Sequence, residues 1–172
     1  MKMLVEITDY NAKVNAALVA ILSALPAAEL AADRKVYYKS LLGTFQHLAM
    51  AEFTWLARLR ELAPAPALSA SALLARESDE LRAESGASLA ACAALSAEVD
   101  GLFAAYAAGL DEAGLEKRIS YTAMSGEKLE RSVRHIVFHV MNHGTHHRGE
   151  ISAMLDQAGV KNDFSGFNRY NG

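Results

Sequence analysis

Four of the chain's six histidines fall within thirteen residues, FHVMNHGTHHRGE at 138–150, and a fifth, His135, stands just before them. Imidazoles gathered at this density can hold a divalent ion, handle protons, or merely cover a helix face. His135, His139, His143 and His147 recur every four residues. In a helix each such step overshoots a full turn by about 40°, so the row drifts about 120° over about 18 Å. One ion cannot reach all four, but two neighbours can share one because residues four apart lie about 5–6 Å apart at Cβ.

The neighbouring apolar residues select the pair. Ile136, Val140, Ile151 and Met154 mark one face, and that row, continued through the gap, lands on positions 143 and 147. Two neutral imidazoles interrupting an apolar seam are costly unless hydrogen-bonded or coordinated, and one ion satisfies both. His135 and His139 lie progressively off the seam and His146 points elsewhere, so the ordinary reading, surface or hydrogen-bonded histidines, is kept for these three. Gly144 and Gly149 each cost about 1 kcal/mol relative to alanine inside a helix, which calls for a close neighbour as compensation.

A third donor must come from outside the cluster, and the sole histidine there is His47. Its helix face reads Ser40, Gly43, Thr44, His47, Ala51 and Thr54, all small or polar, while the large apolar residues occupy the other side. A helix packed about 8–10 Å away would let His47 meet His143 and His147 around one ion.

These positions need helices to carry them. TDYNAKVNAALVAILSALP reads as a first helix, with Thr8 or Asp9 as N-cap and Pro26 as its stop. A second is expected from about 33 to 62, with Val36, Leu41, Phe45, Leu48, Trp55 and Leu59 at helical spacing. APAPALSASA breaks the pattern and is long enough to cross one end of a bundle. A third helix is expected over about 73–108, a short extended excursion or hairpin around Ile119 and Tyr121, and a fourth helix over about 127–157, stopped at Gly159. Phe164, Phe167 and Tyr170 of the tail should dock on the body. The chain thus reads as one all-α domain over 1–172, a four-helix bundle with a long crossover between helices two and three.

Composition agrees: 52% hydrophobic but 8% aromatic, rich in alanine and leucine, with three prolines. A formal charge of -3 and no basic stripe give no field for phosphates, so nucleic acid is not expected as a partner. ALVAILSALPAA is interrupted by serine and proline and is shorter than the roughly 20 residues a membrane span needs. MKMLVEITDYN meets acidic residues before a signal-type apolar core forms, and a cytoplasmic protein is expected. Cys92, the single cysteine, lies on an apolar helix face and reads as a buried hydrophobe.

NHGTHHRGE at 142–150 resembles the NHxxHHRGQ signature of the DinB family of damage-inducible four-helix proteins. LLGTFQHLAMAEFTWLARL at 41–59 resembles that family's second helix, with a histidine followed by an acidic residue and a tryptophan. The resemblance implies an up-down-down-up bundle, usually a homodimer, whose three-histidine metal site falls on His47, His143 and His147. Glu150 departs from the family's usual glutamine. A carboxylate there is a fourth ligand, an acceptor behind a ligand, or a surface partner of Arg148, and the last two are favoured because the pattern leaves room for water. Asn142 and Arg148, also in the signature, are read as support behind the ligands and helix-surface pairing.

Three protein ligands with an open position describe a catalytic centre. Relatives are thiol-dependent transferases or isomerases, so the resemblance implies a metal-dependent thiol S-transferase or hydrolase acting on a small molecule. It would use one divalent ion (zinc, nickel, iron or copper suit three imidazoles) and a low-molecular-weight thiol. Glu150, Tyr37 and Tyr38 are the candidates for proton handling. The alternative is a non-catalytic metal-binding stress-response protein whose ion ties helices two and four together.

Overall fold

The computed structural model describes residues 2–123 and 125–170; the last two residues of the tail lie outside them. It is mostly helical, with one small sheet. Helix α1 covers Lys2–Ser23, starting well before the expected caps. Thr8 is a buried interior residue whose hydroxyl donates back to the carbonyls of Leu4 (3.2 Å) and Val5 (2.9 Å), so it satisfies itself within the helix instead of capping it.

After a short α2 (Ala27–Ala31), α3 runs over Leu41–Leu62, eight residues later than the expected start at 33. Ser40 is its N-cap, accepting from the Gly43 N–H at 3.0 Å. Residues 32–40 form a loop, because Lys35 (φ 61°) and Lys39 (φ 68°) take the left-handed conformation that no helix tolerates.

The crossover contains α4 (Pro66–Ser69), a 3₁₀ turn at Leu73–Ala75 and α5 (Ser78–Ala87) before the long α6 (Leu89–Gly109). The single helix expected over 73–108 is therefore two helices and a turn. Ser88 makes the break: its extended backbone ends α5, and its side chain caps α6 by accepting from the Ala91 N–H at 3.1 Å. By length and mean hydropathy α6 is apolar enough to cross a membrane, as the core helix of a bundle also can be, and α6 packs against both α1 and α3.

Helix α7 (Glu112–Glu116) leads into the expected hairpin, β1 (Arg118–Thr122) antiparallel to β2 (Lys128–Ser132), with Ser120 opposite Glu130. β2 takes the residues expected to open the last helix, so α8 covers Val133–Gln157 with Ser132 as N-cap. At its far end Gly159 (φ 71°) closes a Schellman motif, the Val160 N–H reaching the Leu155 carbonyl at 2.9 Å and the Gly159 N–H the Asp156 carbonyl at 3.0 Å. The tail docks as expected: Phe164 is buried, its carbonyl accepts from the Tyr10 hydroxyl at 2.9 Å, and Phe167 and Tyr170 of α9 (Phe167–Tyr170) pack on the Tyr10 ring.

The four long helices touch as α1 with α6, α3 with α6, α3 with α8, and α1 with α8. Two apolar clusters fill the interior. One holds Leu4, Leu56, Val99, Phe103 and the inward Val133, Ile136, Val137, Val140 and Met141; the other holds Val14, Leu18, Phe45, Cys92, Ile151 and Met154. The α8 segment from 142 to 150 belongs to neither cluster, and the buried Asn11, Asn15, Glu52 and Asp100 of the other long helices gather beside it.

Candidate metal centre

His47 enters the site from α3, and His143 and His147 enter from α8. His147 is 6% exposed and the other two are half-buried, so the apolar seam does read histidine twice, as the spacing predicted. The Nε2 atoms of His143 and His147 lie 3.0 Å apart, and those of His47 and His143 lie 3.2 Å apart. All three histidines offer nitrogens within 4.8 Å of one another. A tetrahedral ion with bonds of about 2.0–2.1 Å requires donors about 3.3–3.4 Å apart, so the existing spacing fits one ion with a shift of a few tenths of an ångström.

Protonation state strengthens the fit. Burial, with the neighbouring His147 behind it, pushes His47 down to about 4, and the same causes push His143 down to about 4. Near neutral pH both are therefore uncharged, each with a free lone pair. His147 is oriented from behind: its Nδ1 lies 2.7 Å from Glu150 Oε2. A carboxylate only accepts, so Nδ1 carries a proton and the ring is held with Nε2 facing the centre. Imidazole nitrogens this close either share hydrogen bonds or share one cation, and a cation satisfies all three at once.

The loop before α3 supplies the roof. The Arg34 N–H donates to the Lys39 carbonyl at 2.6 Å and the Lys39 N–H to that of Val36 at 2.9 Å, closing a turn across the two left-handed lysines. Tyr38 is thereby laid flat on His47, ring centroids 3.9 Å apart, and edge-on to His147 at 5.5 Å. Its hydroxyl stands 3.0 Å from His47 Nε2. Gly43 is required here, because a Cβ at that position would overlap the Tyr38 carbonyl oxygen.

The remaining candidates divide. Tyr37 is 87% exposed and reaches the ring of Tyr38, so the structure does not bring it to the histidines. His135 accepts or donates at the Ser132 hydroxyl (2.9 Å), His139 lies against Trp55, and His146 approaches Glu150 at 3.4 Å; all three are exposed. His146, His147 and Glu150 also stand within ligand distance of one another, but an ion there would take the proton that orients His147. Glu150 sits behind His147, on the side away from His143, and among the described residues makes no pair with Arg148.

Arg148 overturns the surface reading: it is 1% exposed and donates to Asn11 (2.7 Å) and Asn15 (3.0 Å) of α1. Gly144 is explained by the same approach, since its Cβ would lie 3.0 Å from both Arg148 Nη1 and Asn11 Oδ1. Gly149 faces open space, and nothing in the structure explains it. Cys92 is buried, and burial pushes its thiol up to about 12, so it is the inert hydrophobe expected.

With this geometry in place, comparison with protein-family models finds that the DinB family model matches residues 1–170. The chain belongs to the DinB family. Neither the curated proteins nor the solved structures contain a significant match. DinB membership and the three-histidine group together fit a metal-binding protein, with the two recognised DinB segments supplying all three imidazoles.

Proposed function

We propose that this DinB protein binds one divalent ion through His47, His143 and His147 and uses it in thiol transfer or hydrolysis on a small molecule. The observation that carries the reading is the convergence of three imidazole nitrogens at 3.0 and 3.2 Å from two helices. An ion held there lowers the pKa of bound water toward about 7, or holds a thiol as thiolate.

The protein's own groups do the rest. Glu150 fixes the tautomer and angle of His147. Tyr38 covers one side of the centre, narrows access by water, and presents a hydroxyl that can hold or pass a proton beside His47. The half exposure of His47 and His143 leaves the centre reachable by a small substrate. The same reading takes the long helices as an up-down-down-up bundle. It is supported by the apolar clusters: α1 and α8 run from the first cluster to the second, α3 and α6 the opposite way.

The test is turnover by metal-reconstituted protein across low-molecular-weight thiols with alkyl or aryl electrophiles, and across ester and amide substrates. Turnover lost on chelation and restored by metal supports the enzyme. Verified metal with no turnover of any pair supports the second reading, a non-catalytic protein in which the ion ties α3 to α8, favoured by the location of the ligands on two different helices.

A further inference from the structure

Beside the histidines lies a second group that the metal reading leaves without a task. Asn11, Asn15, Glu52, Asp100 and Arg148 are each 3% exposed or less, and come from α1, α3, α6 and α8. Asn11 donates to Glu52 Oε1 (2.9 Å) and Asp100 Oδ1 (2.7 Å), and Asn15 donates to both Asp100 oxygens at 3.1 Å. The carbonyl oxygens of the same two amides accept from Arg148, whose other nitrogen donates to Thr145 at 3.0 Å. Ser96 adds a hydroxyl to Asp100 at 3.3 Å. Asn11 thus couples the guanidinium on α8 to the acids on α3 and α6, and Asn15 couples it to the acid on α6.

We propose that this group is the positioning network of the histidine centre, holding α8 at the rotation and depth that turn His143 and His147 toward His47. Arg148 follows His147 directly, and Gly144, which follows His143, is the point where Asn11 reaches α8. The network therefore grips α8 between and behind its two ligands, and Glu52 ties in α3 five residues beyond His47. The inference rests on the metal reading above.

Charge balance gives the network its internal logic. Two ionised acids against one guanidinium would leave a net buried charge, which is costly. Burial, then the neighbouring Asp100, push Glu52 well above the carboxylate range. Its Oε2 has no partner as an acceptor, but once protonated it is a donor beside Asp100. Burial raises Asp100 as well, but the amides of Asn15 and Asn11 and the Ser96 hydroxyl that donate to it favour its charged form, and with Glu52 neutral and Arg148 cationic the group then carries no net charge.

The experiment uses cobalt(II) as the probe, with affinity read by chelator competition, geometry by visible absorption and folding by circular dichroism. Arg148→Met, folded, loses at least tenfold in cobalt affinity and shows an altered absorption band, an effect of the size expected when groups behind metal ligands are removed. Arg148→Lys does not restore full affinity, because the shorter lysine offers a single nitrogen and cannot hold Asn11 and Asn15 while also donating to Thr145. If Arg148→Met does not fold, Asn15→Ala serves instead and is expected to weaken cobalt binding in the same direction. A folded variant of either kind with wild-type affinity and spectrum overturns the proposal. Absence of cobalt binding by the wild type overturns the metal reading beneath it.

Discussion

His47 and His143 are 96 residues apart in the chain, yet their Nε2 atoms are 3.2 Å apart across the α3 and α8 interface. An ion shared by them links two helices, so its binding free energy adds to folding stability. At free metal of about 100 times the dissociation constant the gain is about 2.7 kcal/mol, which for a chain of this size is about 5–10 °C in melting temperature. Thermal melts with metal and with excess chelator should differ by that amount, and coincident melts would contradict it.

Glu150 accepts from His147 Nδ1 at 2.7 Å, and that bond can be made by an amide oxygen as well as by a carboxylate. Glu150→Ala should weaken metal binding by about 10–100-fold, whereas Glu150→Gln should lose much less. Competition titrations of the two variants check this; equal losses would show that the charge matters and the hydrogen bond does not.

In metal-free protein, burial and the neighbouring His147 hold His47 and His143 down at about 4, against 6.5 for an ordinary histidine. As pH falls below 6.5 the unfolded chain takes up protons that the folded chain refuses until about pH 4. The unfolded state then binds more protons, so stability falls over that window and is fully present above it. Urea midpoints in chelator at pH 7, 5.5 and 4.5 should decline, and the decline should be shallower in a His47→Gln, His143→Gln double variant. Identical slopes would count against the assignment.

The two glycines flanking the site predict opposite signs. Gly43→Ala places a Cβ on the Tyr38 carbonyl oxygen and should destabilise by about 1–3 kcal/mol while lifting Tyr38 off His47. Gly149→Ala meets nothing within 4 Å and should stabilise α8 by about 0.5–1 kcal/mol. Denaturant midpoints of both variants decide it.

The three histidines were legible because each broke a pattern: His143 and His147 an apolar seam, His47 a face otherwise made of small residues. The network beside them was not. Glu52 and Asp100 are single acids in long helices, which usually face water, and Arg148 beside Glu150 resembles a surface pair. A signal was present in Asn11 and Asn15, two amides four residues apart alongside the inward Val14 and Leu18, and in Gly144 at the point of closest approach. The start of α3 was illegible for a different reason. Residues 33–40 keep helical spacing, and the left-handed Lys35 and Lys39 have no residue-type signature, since glycine or asparagine would normally mark such positions. The break at Ser88 carried a signal in Ser85, Gly86 and Ser88 of ESGASLAA, a cluster of helix-weakening residues that the surrounding alanines masked.

The most direct measurement is metal content by elemental mass spectrometry on untagged, metal-replete protein, for the wild type, His47→Ala and His143→Ala. The account predicts about one ion per chain in the wild type and loss of that ion in both variants, with folding retained. A wild type without metal, or a His47→Ala variant that keeps the full complement, would contradict a shared centre between α3 and α8.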